Sequence, residues 1–442
     1  MRARIPWLLA LLYAALFTWL GAWRFSVHRN FVDFGIFAQT IASAFGCFCN
    51  AIEGSHWAFH FSPILYAFGA VISVWRSPFA LIALSAIGGA LSIPPVYALV
   101  ARRSTPRIAA LAATIVFLYP PLAGVIFNDF HENAFAPAAV LWTFWAFDNG
   151  RIWLAAALAL LAMCVKEDQA IFMGLAGLAV FLVDRGERRR AGAVVAVCGL
   201  AIVAIFFFVI QPHAQSNPAW APTRFYAWDA NDFTRLGPGL LARLGFVVLV
   251  FAPLLFIPLR SRLIVLAAAP FAEVLLSRMS TTYTNGSHYA GAWAGYVMAA
   301  FAYALRDMPE RRAKVATAIC IGLCVLEFAV ANPLHPGLNL RRAQPRDSAL
   351  DAYLARVPSS MDVATQEEAY THLAIDHPRA HLLPEDSSAT VDACYVLIDA
   401  AFPNSPRIQE YGSAFRAQVA QGRFALVDRD GPIALYRSAR CR

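Results

Sequence analysis

Charged residues are scarce in this chain of 442 residues. Only 14% are Asp, Glu, Lys or Arg, whereas 59% are hydrophobic, and the mean hydropathy is +0.54. This balance excludes one large soluble domain and predicts an integral membrane protein. The net charge of +8 does not indicate nucleic-acid binding, because the basic residues lie mostly in short loops between hydrophobic runs.

Several other signals are absent. The eight cysteines show no metal-ligand spacing, and there is no internal repeat or low-complexity segment. No small-x-small cleavage site closely follows the first hydrophobic run, which favours an uncleaved first span. Cys47, Cys49, Cys394 and Cys441 lie outside the hydrophobic runs and would form disulfides if exported, with the pairing left open.

Hydrophobic runs of membrane-spanning length recur about eleven times before residue 332. The predicted spans are 7–23, 79–101, 107–121, 134–148, 151–165, 169–183, 192–210, 240–258, 262–277, 290–305 and 314–331. The positive-inside rule places Arg2 and Arg4 in the cytoplasm. If the short run 61–75 lies along the outer surface, the basic loops near 102, 187 and 310 are also cytoplasmic. The loops 24–78, 122–133, 211–239 and 278–289 are then exported.

The composition changes at about Asn332, where charged residues become more frequent. The pattern predicts helices at 348–357, 367–374 and 406–420, and strands at 361–365 and 394–399. A hairpin is predicted around Asp430-Gly431. We therefore predict a polytopic all-α membrane bundle over 1–331, with an outer first loop at 24–78. A small exported α/β domain follows over 332–442.

Ionisable residues gather on the predicted outer side of the membrane. Placing a charged side chain beside hydrocarbon costs free energy, so a group of such residues at one face indicates a functional site. In the first loop, Asp33 would act as a base or a cation ligand, or cap a helix. His56 and His60 would share a helix face as metal ligands, although an interfacial role fits this aromatic stretch better.

Three further clusters lie at the same predicted face. Asp129, His131 and Glu132 form a dense group at a helix start, where acids are also favoured by the helix dipole. Lys166, Glu167 and Asp168 form the strongest signal, because lysine is a natural phosphate ligand; a solvated turn is the alternative. His288 and Tyr289 end a polar aromatic loop suited to hydrogen-bonding a sugar. We predict that these clusters and Asp33 line one cavity.

The motifs Asp33-Phe34-Gly35-Ile36-Phe37, His60-Phe61-Ser62-Pro63, Asp129-Phe130-His131-Glu132, Lys166-Glu167-Asp168 and His288-Tyr289 occur in this order. With them the chain resembles the DUF2079 family of bacterial membrane proteins. That family is similar in layout to the GT-C glycosyltransferases, which take a sugar from a polyprenyl-phosphate carrier and invert its anomeric centre. The resemblance implies a GT-C-like fold in the bacterial inner membrane. It also implies membrane lipid and a polyprenyl-phosphate-linked sugar as partners, with an acceptor that the sequence does not identify.

That chemistry assigns roles to the same residues. Asp33 would be the general base, with Asp129 and Glu132 as further catalytic carboxylates. Lys166, with His60, would bind the phosphate, and His131, Glu167, Asp168, His288 and Tyr289 would complete the substrate site. A divalent metal, Mg²⁺ or Mn²⁺, held by Asp33, Asp129 and Glu132, is an alternative phosphate ligand. The competing functions are a transporter or lipid flippase and a non-catalytic envelope scaffold.

Overall fold

The structure is a computed structural model that describes residues 4–215, 239–384, 386, 388–402 and 413–441. It is mostly helical, with several apolar helices and a small C-terminal sheet, as the composition predicts. The helices, in chain order, are α1 Ile5–Ser26, α2 Val32–Ala42, α3 Ile64–Val74, α4 Pro78–Ala90, α5 Ile93–Ala101, α6 Pro106–Leu118, α7 Pro120–Phe127, α8 Ala136–Asp148, α9 Ile152–Met163, α10 Glu167–Val183, α11 Gly186–Ala214, α12 Leu240–Phe251, α13 Ala268–Leu276, α14 Ala290–Arg306, α15 Glu310–Val330, α16 Pro336–Asn339, α17 Pro345–Leu354, α18 Glu367–Leu373 and α19 Ser413–Ala420.

Within the described residues, four helical segments are long and apolar enough to cross a membrane. They are Ile5–Ser26, Pro78–Ala101, Gly186–Ala214 and Glu310–Val330, and the pair α6 and α7, bent by 45°, would be a fifth. Other helices at predicted spans are shorter; α9 has 12 residues, a length of about 18 Å. The number of eleven spans therefore stays a prediction.

Two further predicted spans, 240–258 and 262–277, are only partly α-helical. Helix α12 ends at Phe251 instead of residue 258, and Leu255 and Phe256 then adopt left-handed backbone angles with φ of 50° and 54°. The next predicted span begins as a 3₁₀ segment, Arg262–Ala267, and becomes α-helical only at Ala268. Pro253 explains the first break, because proline cannot donate a backbone hydrogen bond within a helix.

The chain divides into two compact units. The first contains residues 1–19, 57–65 and 82–335, and the second contains residues 20–56, 66–81 and 336–442. The predicted domain boundary at residue 331 is not tested by this division and stays a prediction. The second unit nevertheless groups most of the first loop with the C-terminal residues.

The described strands are β1 Cys49–Asn50, β2 Gly54–Ser55, β3 Val363–Thr365, β4 Ala380–Leu382, β5 Tyr395–Asp399, β6 Phe424–Asp430 and β7 Ile433–Ser438. In the second unit, five of them form a mixed sheet in the order β4-β3-β5-β7-β6. Strands β3 and β5 are parallel, whereas β7 is antiparallel to both β5 and β6. The hairpin predicted at Asp430-Gly431 is present, and Gly431 has φ of 53°. Of the helix predicted over 406–420, residues 406–412 lie outside the described part of the chain.

Helix α2 of the first loop packs on helix α18 in this unit. The Gln39 amide donates hydrogen bonds to the carbonyls of His377, Pro378 and Ala380 at 3.1–3.2 Å. Its oxygen accepts from Tyr370 Oη at 2.9 Å. A buried amide satisfied in this way orders both segments, because losing a partner would leave polar atoms unpaired. Gln39 therefore has a structural role.

The four cysteines outside the predicted spans form two disulfides, Cys47–Cys49 and Cys394–Cys441. The other cysteines, Cys164, Cys198, Cys320 and Cys324, are free. Disulfides persist in oxidising compartments, which supports export of the segments that carry them.

This arrangement leads to a topology prediction. Cysteines introduced near positions 104, 187 and 309 should be protected from an impermeant thiol reagent in intact cells, whereas those near 50 and 400 should react. Position 225, predicted to be exported, lies outside the described residues and is labelled in the same way. Reaction at position 400 only after the inner membrane is permeabilised would contradict the orientation.

Candidate functional site

Lys166 lies at a break between two helices of the first unit. Helix α9 ends at Met163, and α10 begins at Glu167, with Lys166 extended at φ −163° and ψ 157° in the N-cap position. Lys166 is only 8% exposed. The break between these two apolar helices thus places a cation inside the first unit. Such a break is tolerated where neighbouring groups form hydrogen bonds with the backbone atoms that the interrupted helix leaves unpaired.

The segment before α3 docks on this break. The backbone N–H of Ile64 donates to the Cys164 carbonyl at 3.0 Å. Glu167 accepts from the Phe61 N–H through Oε2 at 2.8 Å, and its Oε1 lies 2.8 Å from His60 Nδ1. Glu167 is therefore a positioning residue for His60. Burial opposes charge on the His60 ring, but Glu167 outweighs this effect and raises its pKa.

Glu132 is the charge partner of Lys166. The Glu132 side chain is fully buried, and Lys166 Nζ lies 3.8 Å from its Oε1. At this distance the two side chains form an ion pair but not a hydrogen bond. Within the described residues, neither oxygen of Glu132 has a hydrogen-bond partner. The Lys166 ammonium also lies 6.0 Å from the centre of the Tyr289 ring. Both charged groups thus retain capacity to bind a ligand.

Burial lowers the pKa of Lys166, but the three neighbouring carboxylates, Glu132, Asp168 and Glu167, outweigh it and raise that pKa above its ordinary value. The lysine is therefore an ammonium ion at neutral pH. Asp168 is 7% exposed, and its Oδ1 has no hydrogen-bond partner in the described part of the chain. The next residue, Gln169, donates to the Ala292 carbonyl at 3.2 Å, which ties α10 to α14.

Two histidines extend the cluster. The rings of His131 and His288 stack with their centroids 3.5 Å apart, and the Tyr289 ring lies 4.1 Å from that of His288. Nδ1 of His131 lies 3.0 Å from the Asp129 carbonyl oxygen. Burial, followed by the charges of His131 and Lys166, holds the pKa of His288 well below its ordinary value. Stacked rings of this kind favour a neutral His288, able to donate and accept hydrogen bonds.

Two glycines let the loop of His288 and Tyr289 approach this cluster. A Cβ on Gly124 would lie 2.0 Å from the Asn285 carbonyl oxygen, and one on Gly291 would lie 2.4 Å from that of Asn133. Both obstacles are backbone atoms, which cannot rotate away. The side-chain amide of Asn128 also donates to the Gly286 carbonyl at 2.7 Å. The loop is therefore held against α7 and the turn before α8.

Replacing Gly124 or Gly291 with alanine should lower the Tm of the detergent-solubilised protein, because overpacking costs about 1–3 kcal/mol. Gly322→Ala is the matched control: Gly322 is also helical, and its added Cβ would meet no atom of the described residues within 4 Å beyond its own helix backbone. There alanine should be neutral or stabilising, since glycine weakens a helix interior. Equal Tm values for all three variants would show that these backbones do not make close contact.

The first unit thus places together most of the residues predicted from sequence. His60, Glu132, Lys166, Glu167, His288 and Tyr289 are joined by the contacts given above, with His131 stacked on His288. Asp33 lies in the second unit, in the first turn of α2. Phe31 occupies the N-cap of that helix, so the helix-capping alternative for Asp33 is wrong. The metal set of Asp33, Asp129 and Glu132 stays a prediction.

The proposed pairing of His56 and His60 on one α-helix is not formed. His56 begins a 3₁₀ turn that ends at Ala58, so the four-residue spacing does not align the two rings. The His56 ring is buried against Phe37 and Phe48 in the second unit. The interfacial role of this aromatic stretch stays a prediction.

Comparison with solved structures identifies a similar fold. The crystal structure of ArnT from Cupriavidus metallidurans bound to undecaprenyl phosphate matches with a TM-score of 0.57 and 12% identity over 96% of this chain and 97% of that chain. The apo ArnT structure matches with a TM-score of 0.57 and 13% identity, with the same coverage. ArnT is a GT-C glycosyltransferase, so the fold is GT-C-like.

An archaeal oligosaccharyltransferase, AglB from Archaeoglobus fulgidus in complex with an inhibitory peptide and a dolichol-phosphate, matches with a TM-score of 0.36 and 14% identity. That match covers 88% of this chain and 69% of AglB. No protein with a curated function matches the sequence significantly. The family model described as "Predicted membrane protein (DUF2079)" matches residues 27–429. Because this match spans most of the sequence, the chain belongs to the DUF2079 family of membrane proteins.

Proposed function

We propose that this protein is a membrane glycosyltransferase that takes a sugar from a polyprenyl-phosphate donor at the outer face of the bacterial inner membrane. The observation that carries the proposal is the buried Lys166 ammonium at the break between α9 and α10. Within the described residues, its ion-pair partner Glu132 lies at 3.8 Å, and no side-chain hydrogen bond from the ammonium is present. A buried cation of this kind is suited to a phosphate group.

An apolar groove beside this cation supports a lipid-linked donor. Helices α10 and α11 border a cavity of about 450 Å³ whose lining includes Ala170, Gly174, Leu178, Val197, Leu200 and Val203. All of its lining residues are apolar. The groove begins at Ala170, four residues after Lys166, a distance of about 6 Å along a helix. A polyprenyl chain in the groove would bring its phosphate to Lys166.

The proposed reaction is a displacement at the anomeric carbon. The acceptor oxygen or nitrogen attacks this carbon, while the bond from the carbon to the phosphate oxygen breaks and polyprenyl phosphate leaves. Lys166 stabilises the charge on the departing phosphate, an effect worth several kcal/mol in a site that excludes water. Asp33 accepts the proton that the acceptor loses and then releases it to solvent. Attack opposite the leaving group inverts the anomeric centre.

A divalent metal, Mg²⁺ or Mn²⁺, is the alternative phosphate ligand in this proposal. The buried oxygens of Glu132 have no hydrogen-bond partner among the described residues, which fits a cation ligand. Asp129 lies three residues earlier, and with Asp33 these acids would hold the ion. Bound there, the ion would stabilise the leaving phosphate in place of Lys166.

The test is transfer of labelled sugar from a polyprenyl-phosphate donor to an acceptor pool by the purified protein. Formation of a glycosylated acceptor together with free polyprenyl phosphate is expected. No transfer, together with substrate-dependent flux across proteoliposomes, would favour the transporter or flippase function. If neither activity occurs and residues 332–442 suffice to capture an envelope protein, the scaffold function would replace the proposal.

A further inference from the structure

A second cluster of titratable side chains lies within the second unit and contains none of the residues proposed for sugar transfer. His28 follows helix α1, Asp351 lies on α17, and His372 lies on α18. One ligand atom from each residue lies within 4.8 Å of the others. Three segments, far apart in sequence, thus bring two imidazoles and one carboxylate together.

The distances approach those of a transition-metal site. His28 Nε2 lies 3.1 Å from Asp351 Oδ1, and His372 Nδ1 lies 3.9 Å from the same oxygen. With metal–ligand bonds of about 2.0–2.1 Å, ligands of a tetrahedral ion are about 3.3 Å apart. The Asp351 side chain is 57% exposed, so its carboxylate has room to adjust and the site is open to solvent.

The His28 ring is buried without a hydrogen bond. Its side chain is fully buried, and within the described residues neither ring nitrogen makes a hydrogen bond, although carboxylates lie nearby; His372 Nε2 also lacks a hydrogen bond. Buried polar atoms without hydrogen bonds are costly. Coordination of an ion through His28 Nε2 would satisfy one of these atoms.

Neighbouring side chains hold the two rings in place. The His28 and His372 rings stack at 4.1 Å, and Phe25 stacks on His372 at 4.0 Å. On the other edge of His28, Nδ1 lies 3.7 Å from Asp347 Oδ1. A carboxylate behind a histidine is the usual outer partner of a metal ligand. Arg341 pairs with Asp347 and donates to its Oδ2 at 2.8 Å. This ion pair holds Asp347 behind His28, where it supports the ring and does not bind the metal itself.

We propose that His28, Asp351 and His372 bind a divalent transition ion of the Zn²⁺ type, with water as the fourth ligand. Two nitrogens and one oxygen suit zinc, whereas Mg²⁺ and Ca²⁺ prefer oxygen ligands. The ion would link residue 28 to the C-terminal helices within the second unit.

The test uses the full-length protein, stripped of metal in detergent and then equilibrated with ZnSO₄. We expect wild type to bind one more equivalent of zinc than His372→Gln and Asp351→Asn, measured by elemental analysis after desalting. Zinc should also raise the Tm of wild type but not of these variants. His381→Gln is the matched control, because His381 lies in β4 outside the cluster and should bind as much zinc as wild type.

Two further comparisons distinguish loss of this zinc site from loss of another metal site and from misfolding. All measurements are repeated with Glu132→Gln, which removes a ligand of the metal site proposed for sugar transfer; the equivalent lost with His372→Gln should be unaffected. Asp351→Asn alters an exposed side chain and should fold even if His372→Gln does not. Equal zinc binding by wild type and Asp351→Asn, or no zinc bound by folded wild type, would overturn the site.

Discussion

Lys166→Ala should weaken binding of a polyprenyl-phosphate sugar by about 10- to 100-fold, since hydrogen bonds to a charged group contribute about 1.5–3 kcal/mol. The substitution removes the ammonium that lies beside Glu132 at the start of α10. Lys166→Arg retains the charge and should retain part of the affinity, with altered geometry. Equilibrium binding of a labelled donor to the purified protein measures the effect.

Lys314→Ala is the matched control for this experiment. Lys314 is the other lysine of the chain, and it pairs with Glu310 at 2.6 Å on an exposed face of α15. Its loss should leave donor binding unchanged, because exposed ion pairs contribute little. Lys166→Ala also leaves the buried Glu132 without its partner, so the second variant is Lys166→Met with Glu132→Gln, which removes both charges and leaves neither of them buried and unpaired. Wild-type affinity in this folded double variant would exclude Lys166 as the phosphate ligand.

Asp33→Asn should reduce turnover by about 10²- to 10⁴-fold, the usual contribution of a general base. Asparagine keeps the size of the side chain in the first turn of α2 but cannot accept the proton. Donor binding should remain largely intact, which separates this variant from Lys166→Ala. Single-turnover transfer at saturating donor is the measurement.

Asp307→Asn makes the same chemical change outside the proposed site. Asp307 is an exposed acid that pairs with Arg103 at 3.3 Å, and its variant should turn over at the wild-type rate. Full activity in Asp33→Asn would remove Asp33 as the base and direct attention to Asp129 and Glu132. Loss of donor binding in Asp33→Asn would instead indicate a role in holding the substrate or a metal.

Local sequence patterns predicted the elements whose formation depends on near neighbours. Apolar runs indicated the helical bundle, and the hairpin at Asp430-Gly431 followed from a turn in which glycine adopts positive φ. The break at Lys166 was also visible, because three charged residues interrupt two apolar runs. The short strand β4, Ala380–Leu382, was not predicted. A strand of three residues is too short to show the alternation of apolar and polar side chains from which strands are predicted.

Partners that are distant in sequence were decided only by the tertiary structure. Glu167 was predicted to bind substrate, yet its oxygens face His60 and the Phe61 N–H, 106 residues or more away. Gln39 makes its hydrogen bonds more than 330 residues along the chain. His28, Asp351 and His372 have no spacing that marks a metal site.

The sequence by itself determined the membrane class, the helical bundle, the C-terminal strands and helices, and which ionisable residues lie close together along the chain. These follow from local hydrophobicity and from the cost of placing charge beside hydrocarbon. The tertiary structure decided which charges became partners, which ones support a neighbour and which ones retain free hydrogen-bonding capacity. Such pairing depends on long-range packing, which brings together atoms that no local pattern relates.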